Sequence, residues 1–454
     1  RKVAGAAGVP VVPGETPPDQ SDAGVIAAIR SVGLPALVKA SAGGGGKGMR
    51  LVHDEQGLTI AVQAARREGL AAFGDGTLYV ERLIDRPHHI EVQIFADNHG
   101  RTIHLFEREC SVQRRHQKII EESPSPILTK ALRERLAQAA IDVARHTGYR
   151  NAGTIEFLVE GSAFYFLEMN TRLQVEHPVT EGVTGLDLVR AQLLVAAGEP
   201  LPWRDADVAL RGHSVEARIY AEDPGRDFLP QAGRLNEYRE PHLPGVRIDS
   251  GVVEGGEISV YYDPLIAKVI ATAESRDLAI NRLIAALKTL HIRGIRTNVA
   301  FVLSVLDSDA FRRGAIDTGY LDREMPTLVV PAVGDESEAE ATPPLAGRLR
   351  TPAAAALDPW NGIAARPAGR RQTSRRRTRA SSDGHQLLTA PMPATVISIP
   401  VKAGDVVHKG DIVVLLEAMK MELPLRALAD GVVASVRCRE GDLVPADAEL
   451  VELQ

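Results

Sequence analysis

Gly153-Thr154-Ile155-Glu156-Phe157-Leu158-Val159-Glu160-Gly161-Ser162-Ala163-Phe164-Tyr165-Phe166-Leu167-Glu168-Met169-Asn170-Thr171-Arg172-Leu173-Gln174-Val175-Glu176-His177-Pro178 reads as two apolar strands around Gly161-Ser162. If the second strand stays extended, Glu168, Asn170, Arg172, Gln174 and Glu176 share one face, and Leu167, Met169, Leu173 and Val175 line the other. Glu168 and Asn170 offer hard oxygen ligands for magnesium, provided that Glu156 joins them. A two-residue Gly-Ser turn would put Glu156 and Glu168 on opposite faces. The expectation is therefore a three-residue loop, Gly161 to Ala163, or an equivalent bulge. A solvated strand face is the plainer alternative, and strict polar alternation beside a glycine-rich loop weighs against it.

That loop is Lys39-Ala40-Ser41-Ala42-Gly43-Gly44-Gly45-Gly46-Lys47-Gly48-Met49-Arg50, between an apolar strand from Ala36 and a helical stretch over Thr59 to Glu68. Consecutive glycines let backbone N–H groups approach an anion, and Lys39 and Lys47 add positive charge, as a triphosphate requires. Gly48, which follows Gly46-Lys47, stands where a Walker loop needs its magnesium-binding hydroxyl, so this is a different phosphate loop. Further on, Leu78 to Ile84 reads as a strand ending in charge and His89 to Phe95 alternates with period two. The run Glu109 to Lys118 is dense in cations, and the strand patterns on either side place it inside a folded domain.

Near the other end, Glu417-Ala418-Met419-Lys420-Met421-Glu422 sets one lysine between two methionines and between apolar flanks. It reads as the tip of a tight hairpin presenting an amine. Gly404-Asp405 and Gly441-Asp442 lie 37 positions apart, and Ala394, Val396, Val407 and Val414 fall on Gly431, Val433, Val444 and Val451 at that offset. Two similar halves around Lys420 predict a small pseudo-twofold flattened β-barrel.

The length of 454 residues suggests about three domains, and 44% hydrophobic residues can build substantial cores. A net charge of −6 argues against a general nucleic-acid binder. Cys110 and Cys438 are too few and too distant for a disulfide framework, which fits a reducing cytoplasm. Neither an apolar run long enough to span a membrane nor a signal peptide is visible. The first residue is Arg1 rather than methionine, so a processed or trimmed chain is expected.

Glu-Ala-Met-Lys-Met is similar to the attachment signature of biotin carboxyl carrier domains, with Ala394 in place of the usual glycine after Ala390-Pro391-Met392-Pro393. Residues 1 to about 325 resemble the biotin carboxylase family of ATP-grasp enzymes. The resemblance rests on Lys39 to Arg50, Cys110 to Pro126, Gly153 to Pro178, Val215 to Pro224, Tyr261 to Lys268 and Arg293 to Asn298, in the family's order. It implies that Lys39, Gly43, Gly44, Gly45, Gly46, Glu81, His89, Gln113 and His116 hold ATP. Glu156, Glu168 and Asn170 would bind Mg2+ or Mn2+. Lys118, Arg172, Gln174 and Val175 would seat bicarbonate, Glu176 would be its base, Arg218 would steady the biotin enolate, and Lys420 would carry the covalent biotin.

The fold expected is an α+β ATP-grasp biotin carboxylase without the family's N-terminal Rossmann-like domain, followed by a flexible linker and an all-β biotinyl/lipoyl-type flattened barrel. The expected divisions are 1–83 for the lid, 84–325 for the catalytic and C-terminal portion, 326–388 for a disordered Pro/Ala/Arg-rich tether, and 389–454 for the carrier. The tether looks too short for the extra barrel of some acyl-CoA carboxylase α chains, and a carboxyltransferase domain is missing. The function implied is the α subunit of an acyl-CoA carboxylase, biotinylated by a biotin protein ligase and serving a separate carboxyltransferase (β) subunit. Acetyl-, propionyl- and methylcrotonyl-CoA stay open, and a homodimer or larger hetero-oligomer is expected when full length. The alternatives are a biotin carrier with an inactive ATP-grasp portion, and an unrelated ATP-grasp ligase with a lipoyl-type appendage, which Met419 and Met421 disfavour.

Overall fold

The computed structural model describes residues 1–42, 48–204, 207–325, 328, 386–419 and 421–454. Gly43 to Gly46, Lys47, Lys420 and nearly all of the expected tether lie outside the described residues. The chain divides into two compact units, Arg1–Val330 and Pro331–Gln454.

In the first unit, β1 (Gly14–Glu15), β2 (Ala36–Ala40), β3 (Met49–Val52) and β4 (Leu78–Arg82) form an antiparallel sheet in the order β1-β4-β2-β3. Helices Asp22–Val32 and Leu58–Phe73 supply Val25, Ile29 and Val62 to a core shared with Val38 and Leu78. Ser21 caps the first of these helices, accepting from the Gly24 N–H. Gly74, at φ 71°, ends the second in the left-handed conformation that favours glycine.

The larger sheet is built from β5 (His88–Ala96), β6 (Thr102–Arg114), β7 (Gln117–Ser123), β8 (Asn151–Glu160), β9 (Ala163–Asn170), β10 (His213–Tyr220), β11 (Val246–Ser250) and β12 (Leu265–Ala273). Its order is β11-β12-β10-β7-β6-β5-β8-β9, and every pairing is antiparallel. Alternation along β5 sorts its side chains into two sets. Ile90, Val92 and Ile94 pack with Leu132, Leu136, Ala140 and Val143 from the helix Lys130–His146. His89, Glu91 and Gln93 point the other way and are buried as well, so the strand that reads as amphipathic is covered on both faces.

The β8–β9 hairpin resolves its register question through a bulge. Glu160 pairs with Ala163 across the two-residue turn, the register shifts between Glu156 and Phe157, and Glu156 then faces Glu168 and Thr154 faces Asn170. The extra residue is Leu167, between Phe166, which pairs with Phe157, and Glu168. The strand ends at Asn170, so the extended conformation expected through Glu176 is not observed. Residues 171–176 turn instead, and Glu176 becomes the N-cap of the helix His177–Thr184, with Pro178 in the first turn.

The second unit contains β13 (Gln386–Thr389), β14 (Ala394–Ser398), β15 (Val406–Val407), β16 (Ile412–Ala418), β17 (Met421–Arg426), β18 (Gly431–Val436), β19 (Leu443–Val444) and β20 (Glu449–Leu453). Two four-stranded sheets have the orders β13-β20-β18-β15 and β17-β16-β14-β19. Exchanging β14 with β18, β15 with β19, β16 with β20 and β13 with β17 converts one order into the other. The internal sequence repeat is thus a structural pseudo-twofold, and Gly404 and Gly441 occupy matching turns at φ 92° and 89°. Ala418 pairs with Met421 across the hairpin, and Met419, at φ 52°, is buried.

Candidate active site

Lys118 is the centre of a buried charge network on the polar face of the large sheet. Its ammonium donates to Glu91 Oε2 at 2.5 Å, Glu156 Oε1 at 3.0 Å and Glu176 Oε1 at 2.6 Å. The lysine reaches this place because β6 and β7 are joined by a two-residue turn, Arg115-His116, so that Gln113 lies opposite Lys118. Both turn residues have positive φ, 48° and 66°.

Arg218, from β10, closes the far side. Its Nη2 donates to Glu176 Oε2 at 2.9 Å and its Nε to Glu121 Oε1 at 2.5 Å. Arg108, wholly buried, donates to Glu91, Gln93, Thr180 and Thr154. Burial alone would raise the Glu176 carboxyl, but the charges of Lys118, Arg218 and Arg108 outweigh it and hold the group well below the usual carboxylate range. Glu176 is therefore ionised at neutral pH despite complete burial.

Glu156 is the second hub. Asn170 Nδ2 and Gln174 Nε2 donate to its Oε1 at 2.9 and 3.0 Å. His89 Nε2 lies 3.0 Å from its Oε2 without hydrogen-bond alignment, so that contact is electrostatic. Burial opposes the charge of Glu156, while His89 and Lys118 favour it more strongly and depress its pKa. Glu168, paired with Glu156 across the hairpin but open to solvent, moves the other way, raised by partial desolvation and by the charge of Glu156.

The remaining residues singled out from the sequence separate into those the fold gathers and those it does not. Lys39 donates to Glu81, which also accepts from Arg1 at 2.8 Å. His116 is pushed down first by burial; the charge of Asp322 opposes the shift and those of Lys39 and His89 add to it. Arg172 is exposed and, among the described residues, bonds within its own turn, reaching Gln174 Oε1 at 3.1 Å and the Leu173 carbonyl at 3.2 Å. The Val175 carbonyl accepts from Lys268 at 2.8 Å.

Three family models match in succession: the ATP-binding domain of the carbamoyl-phosphate synthase L chain over residues 1–204, the biotin carboxylase C-terminal domain over 216–323, and the biotin-requiring enzymes over 386–453. Biotin carboxylase of Halalkalibacterium halodurans is 46% identical over 320 residues, 70% of this chain and 71% of that one. The chain belongs to the biotin carboxylase family. A pyruvate carboxylase subunit of Methanothermobacter thermautotrophicus is 50% identical over 323 residues, and the match spans 71% of this chain and 66% of the relative's length. The human mitochondrial propionyl-CoA carboxylase α chain is 36% identical over 519 aligned positions, covering 94% of this chain and 71% of the relative. Among solved structures, the biotin carboxylase domain dimer of Hydrogenobacter thermophilus 2-oxoglutarate carboxylase, in complex with MgADP, ADP and bicarbonate, has a TM-score of 0.70 at 41% identity, over 72% of this chain and 73% of that one. The first unit therefore has the ATP-grasp fold of a biotin carboxylase.

Within that fold, the donor set suits a divalent cation at Glu156 and Glu168. Two carboxylates face each other, one exposed, and their mutual repulsion is what a bound cation relieves. The tighter clusters His89-Glu91-Glu156 and Glu91-Cys110-Glu176 also bring ligand atoms within 4.8 Å of one another. Lys118 bonds to every carboxylate of both clusters and already supplies their positive charge. Burial, and then the charge of Glu91, push the Cys110 thiol well above its ordinary range, which leaves it protonated.

Sequence reasoning passed over Glu91, Arg108, Glu121 and Lys268 as functional residues. Glu91 could have been found, since it alternates with His89 and Gln93 on a strand whose other face is aliphatic. Arg108 gave no local signal, because its partners lie 15 to 72 positions away.

Proposed function

We propose that this chain carboxylates biotin carried on its own Lys420, using ATP and bicarbonate, as the α subunit of an acyl-CoA carboxylase. The observation that carries the reading is Glu176, a fully buried carboxylate held between Lys118 and Arg218. Bicarbonate is a weak electrophile, and phosphoryl transfer from ATP activates it; catalysis of that step depends on positioning and charge neutralisation. Lys118, Arg172, Gln174 and the Val175 backbone seat the anion, and Glu176 removes its proton. A carboxylate clamped by two cations is a weak base, and its proton affinity rises when either cation turns towards the incoming anion.

Glu156, Glu168 and Asn170 hold the divalent cation, which supplies charge neutralisation at the nucleotide phosphates when bound. Lys39, Glu81, His89, Gln113, His116 and the loop Gly43 to Gly46 hold ATP. Biotin on Lys420 supplies the ureido nitrogen that accepts the carboxyl group, and Arg218 lies where it can bind an anion beside Glu176. A division into lid (1–83), catalytic and C-terminal portion (84–325), tether (326–388) and carrier (389–454) serves this chemistry, since the carrier has to visit a second active site. The partners proposed are a biotin protein ligase, a second copy of the chain and a separate carboxyltransferase subunit. Among the described residues no helix is long and apolar enough to cross a membrane.

The test is ATP hydrolysis by the chain with Mg2+, bicarbonate and free biotin, compared with Glu176→Ala. Hydrolysis that requires both bicarbonate and biotin and disappears in the variant supports the reading. No turnover, with Lys420 still biotinylated by a ligase, leaves only a biotin carrier.

A further inference from the structure

Glu216 is fully buried, yet among the described residues neither of its carboxyl oxygens has a hydrogen-bond partner. It sits on β10 directly opposite Glu121 on β7, and Glu121 Oε2 is likewise buried and without a partner. Directly opposed residues of an antiparallel pair carry their side chains on the same face with Cβ atoms about 5 Å apart. Alternation puts Arg218, two residues on, on that face as well, and its Nε and Nη2 donate to Glu121 Oε1 and Glu176 Oε2.

The charges facing Glu216 leave it without a cation of its own. Arg218 on the same strand is shared by Glu121 and Glu176. Lys268, on β12 at the other side of β10, is engaged by Asp249 at 3.1 Å and by the Val175 carbonyl. Lys118 serves Glu91, Glu156 and Glu176, and Arg108 serves Glu91. His177, beside Glu176, is occupied by the Gln174 carbonyl. On the Glu216 face the helix His177–Thr184 packs against β10, with Gly182 close to Ser214 and with its Glu181 bonded to Arg247, while the helix Arg276–Thr289, whose Arg276 holds Glu122, covers the opposite face with Ala279, Ile280 and Leu283. An isolated ionised carboxylate in such a place costs far more than a protonated one. Burial first, and then the opposing Glu121, drive the Glu216 carboxyl well above the carboxylate range, while Glu121 is pushed up to about 7.

We propose that Glu216 is a neutral carboxylic acid in the folded protein, and that the proton it shares with Glu121 keeps Glu121 ionised and bonded to Arg218. Glu216 is thus a positioning residue. Its acid O–H serves the oxygen of Glu121 that Arg218 leaves unused, and two like charges never face each other behind the arginine. The consequence for Arg218 in catalysis rests on the function proposed above; the protonation state does not, and it is measurable without turnover.

The experiment is infrared spectroscopy of the full chain at neutral pH, wild type against Glu216→Gln, read at the carboxylic-acid C=O band. The expected result is an acid band in the wild type that is lost in E216Q, an isostere of the protonated side chain. Thermal melts supply a second readout. A carboxyl whose pKa is raised by folding contributes stability that is complete below the unfolded pKa of about 4.3 and is lost as pH rises towards the folded value. Wild type should therefore lose more Tm than E216Q between about pH 5 and about pH 8. An unchanged infrared spectrum, or parallel melting profiles, would overturn the proposal. Should E216Q fail to fold, Glu121→Gln removes the opposing charge, and the acid band should then titrate at lower pH; a band whose titration does not move defeats the sharing. Loss of the band together with an inactive wild type would sink the proposed function and leave this inference standing.

Discussion

Lys118 and Glu176 are joined by a 2.6 Å hydrogen bond from the ammonium to Oε1, and the same ammonium reaches Glu156 at 3.0 Å. One cation thus links the carboxylate proposed as base to the carboxylate proposed as metal ligand. Replacing it by Lys118→Met strands buried carboxylates and should cost about 3–5 kcal/mol of stability. The same change should lower bicarbonate-dependent ATP hydrolysis by about 10²–10⁴-fold through loss of the positioned base. Chemical denaturation and a phosphate-release assay read the two effects. A variant that melts like the wild type would show that Lys118 is not what balances this cluster.

Glu168 faces Glu156 and is open to solvent, so a divalent cation should enter there without a large rearrangement. A ligand that binds only the folded state adds about 2.7 kcal/mol of stability at a hundred times its Kd. Mg2+ should therefore raise the Tm of the wild type in the presence of ATP, and Glu168→Gln should abolish most of that rise while folding normally. A Mg2+-dependent shift that persists undiminished in the variant would move the metal site elsewhere.

Much of this site was legible in the sequence, and the illegible part has a physical cause. Strict alternation marked Glu168 and Asn170 because both stay within one strand. It failed beyond Asn170, where the backbone turns, yet Gln174 and Glu176 still reach the cluster, one through Glu156 and the other as a helix N-cap. Whether the β8–β9 register closes by a three-residue loop or by a bulge depends on packing, and the bulge at Leu167 is what occurs. The carrier's twofold was readable from its repeated Gly-Asp turns, whereas Arg108 and Glu121 gain their meaning only from strands distant in sequence.

The Arg115-His116 turn couples strain to binding. Both residues have positive φ without being glycine or asparagine, and Arg115 is held by Asp227 at 2.8 Å, itself at φ 54°. A left-handed conformation costs an ordinary residue about 1–2 kcal/mol. His116→Gly should therefore stabilise the chain by about 1 kcal/mol while weakening nucleotide binding, if the imidazole contacts ATP as proposed. Opposite signs in a melt and in an ATP titration are the outcome expected. Unchanged ATP affinity in the stabilised variant would remove His116 from the nucleotide site.

The carrier hairpin makes the last prediction. Met419 is buried at 1% exposure with φ 52°, while Met421, the partner of Ala418, is only half-buried. The two methionines flanking position 420 are thus unequal: one side chain is anchored in the core and the other is only partly covered. Met419→Ala should cost about 2–5 kcal/mol in the second unit, as for other buried methionine truncations, whereas Met421→Ala should cost well under that. Positive φ penalises alanine and methionine alike at 419, so the difference reports the lost side chain rather than the backbone. If the anchored loop is what a biotin ligase reads, mass spectrometry of the full chain after incubation with ligase, ATP and biotin should show slower modification of Lys420 in Met419→Ala than in Met421→Ala. Equal rates in two variants of unequal stability would mean that the ligase does not read the loop that Met419 holds in place.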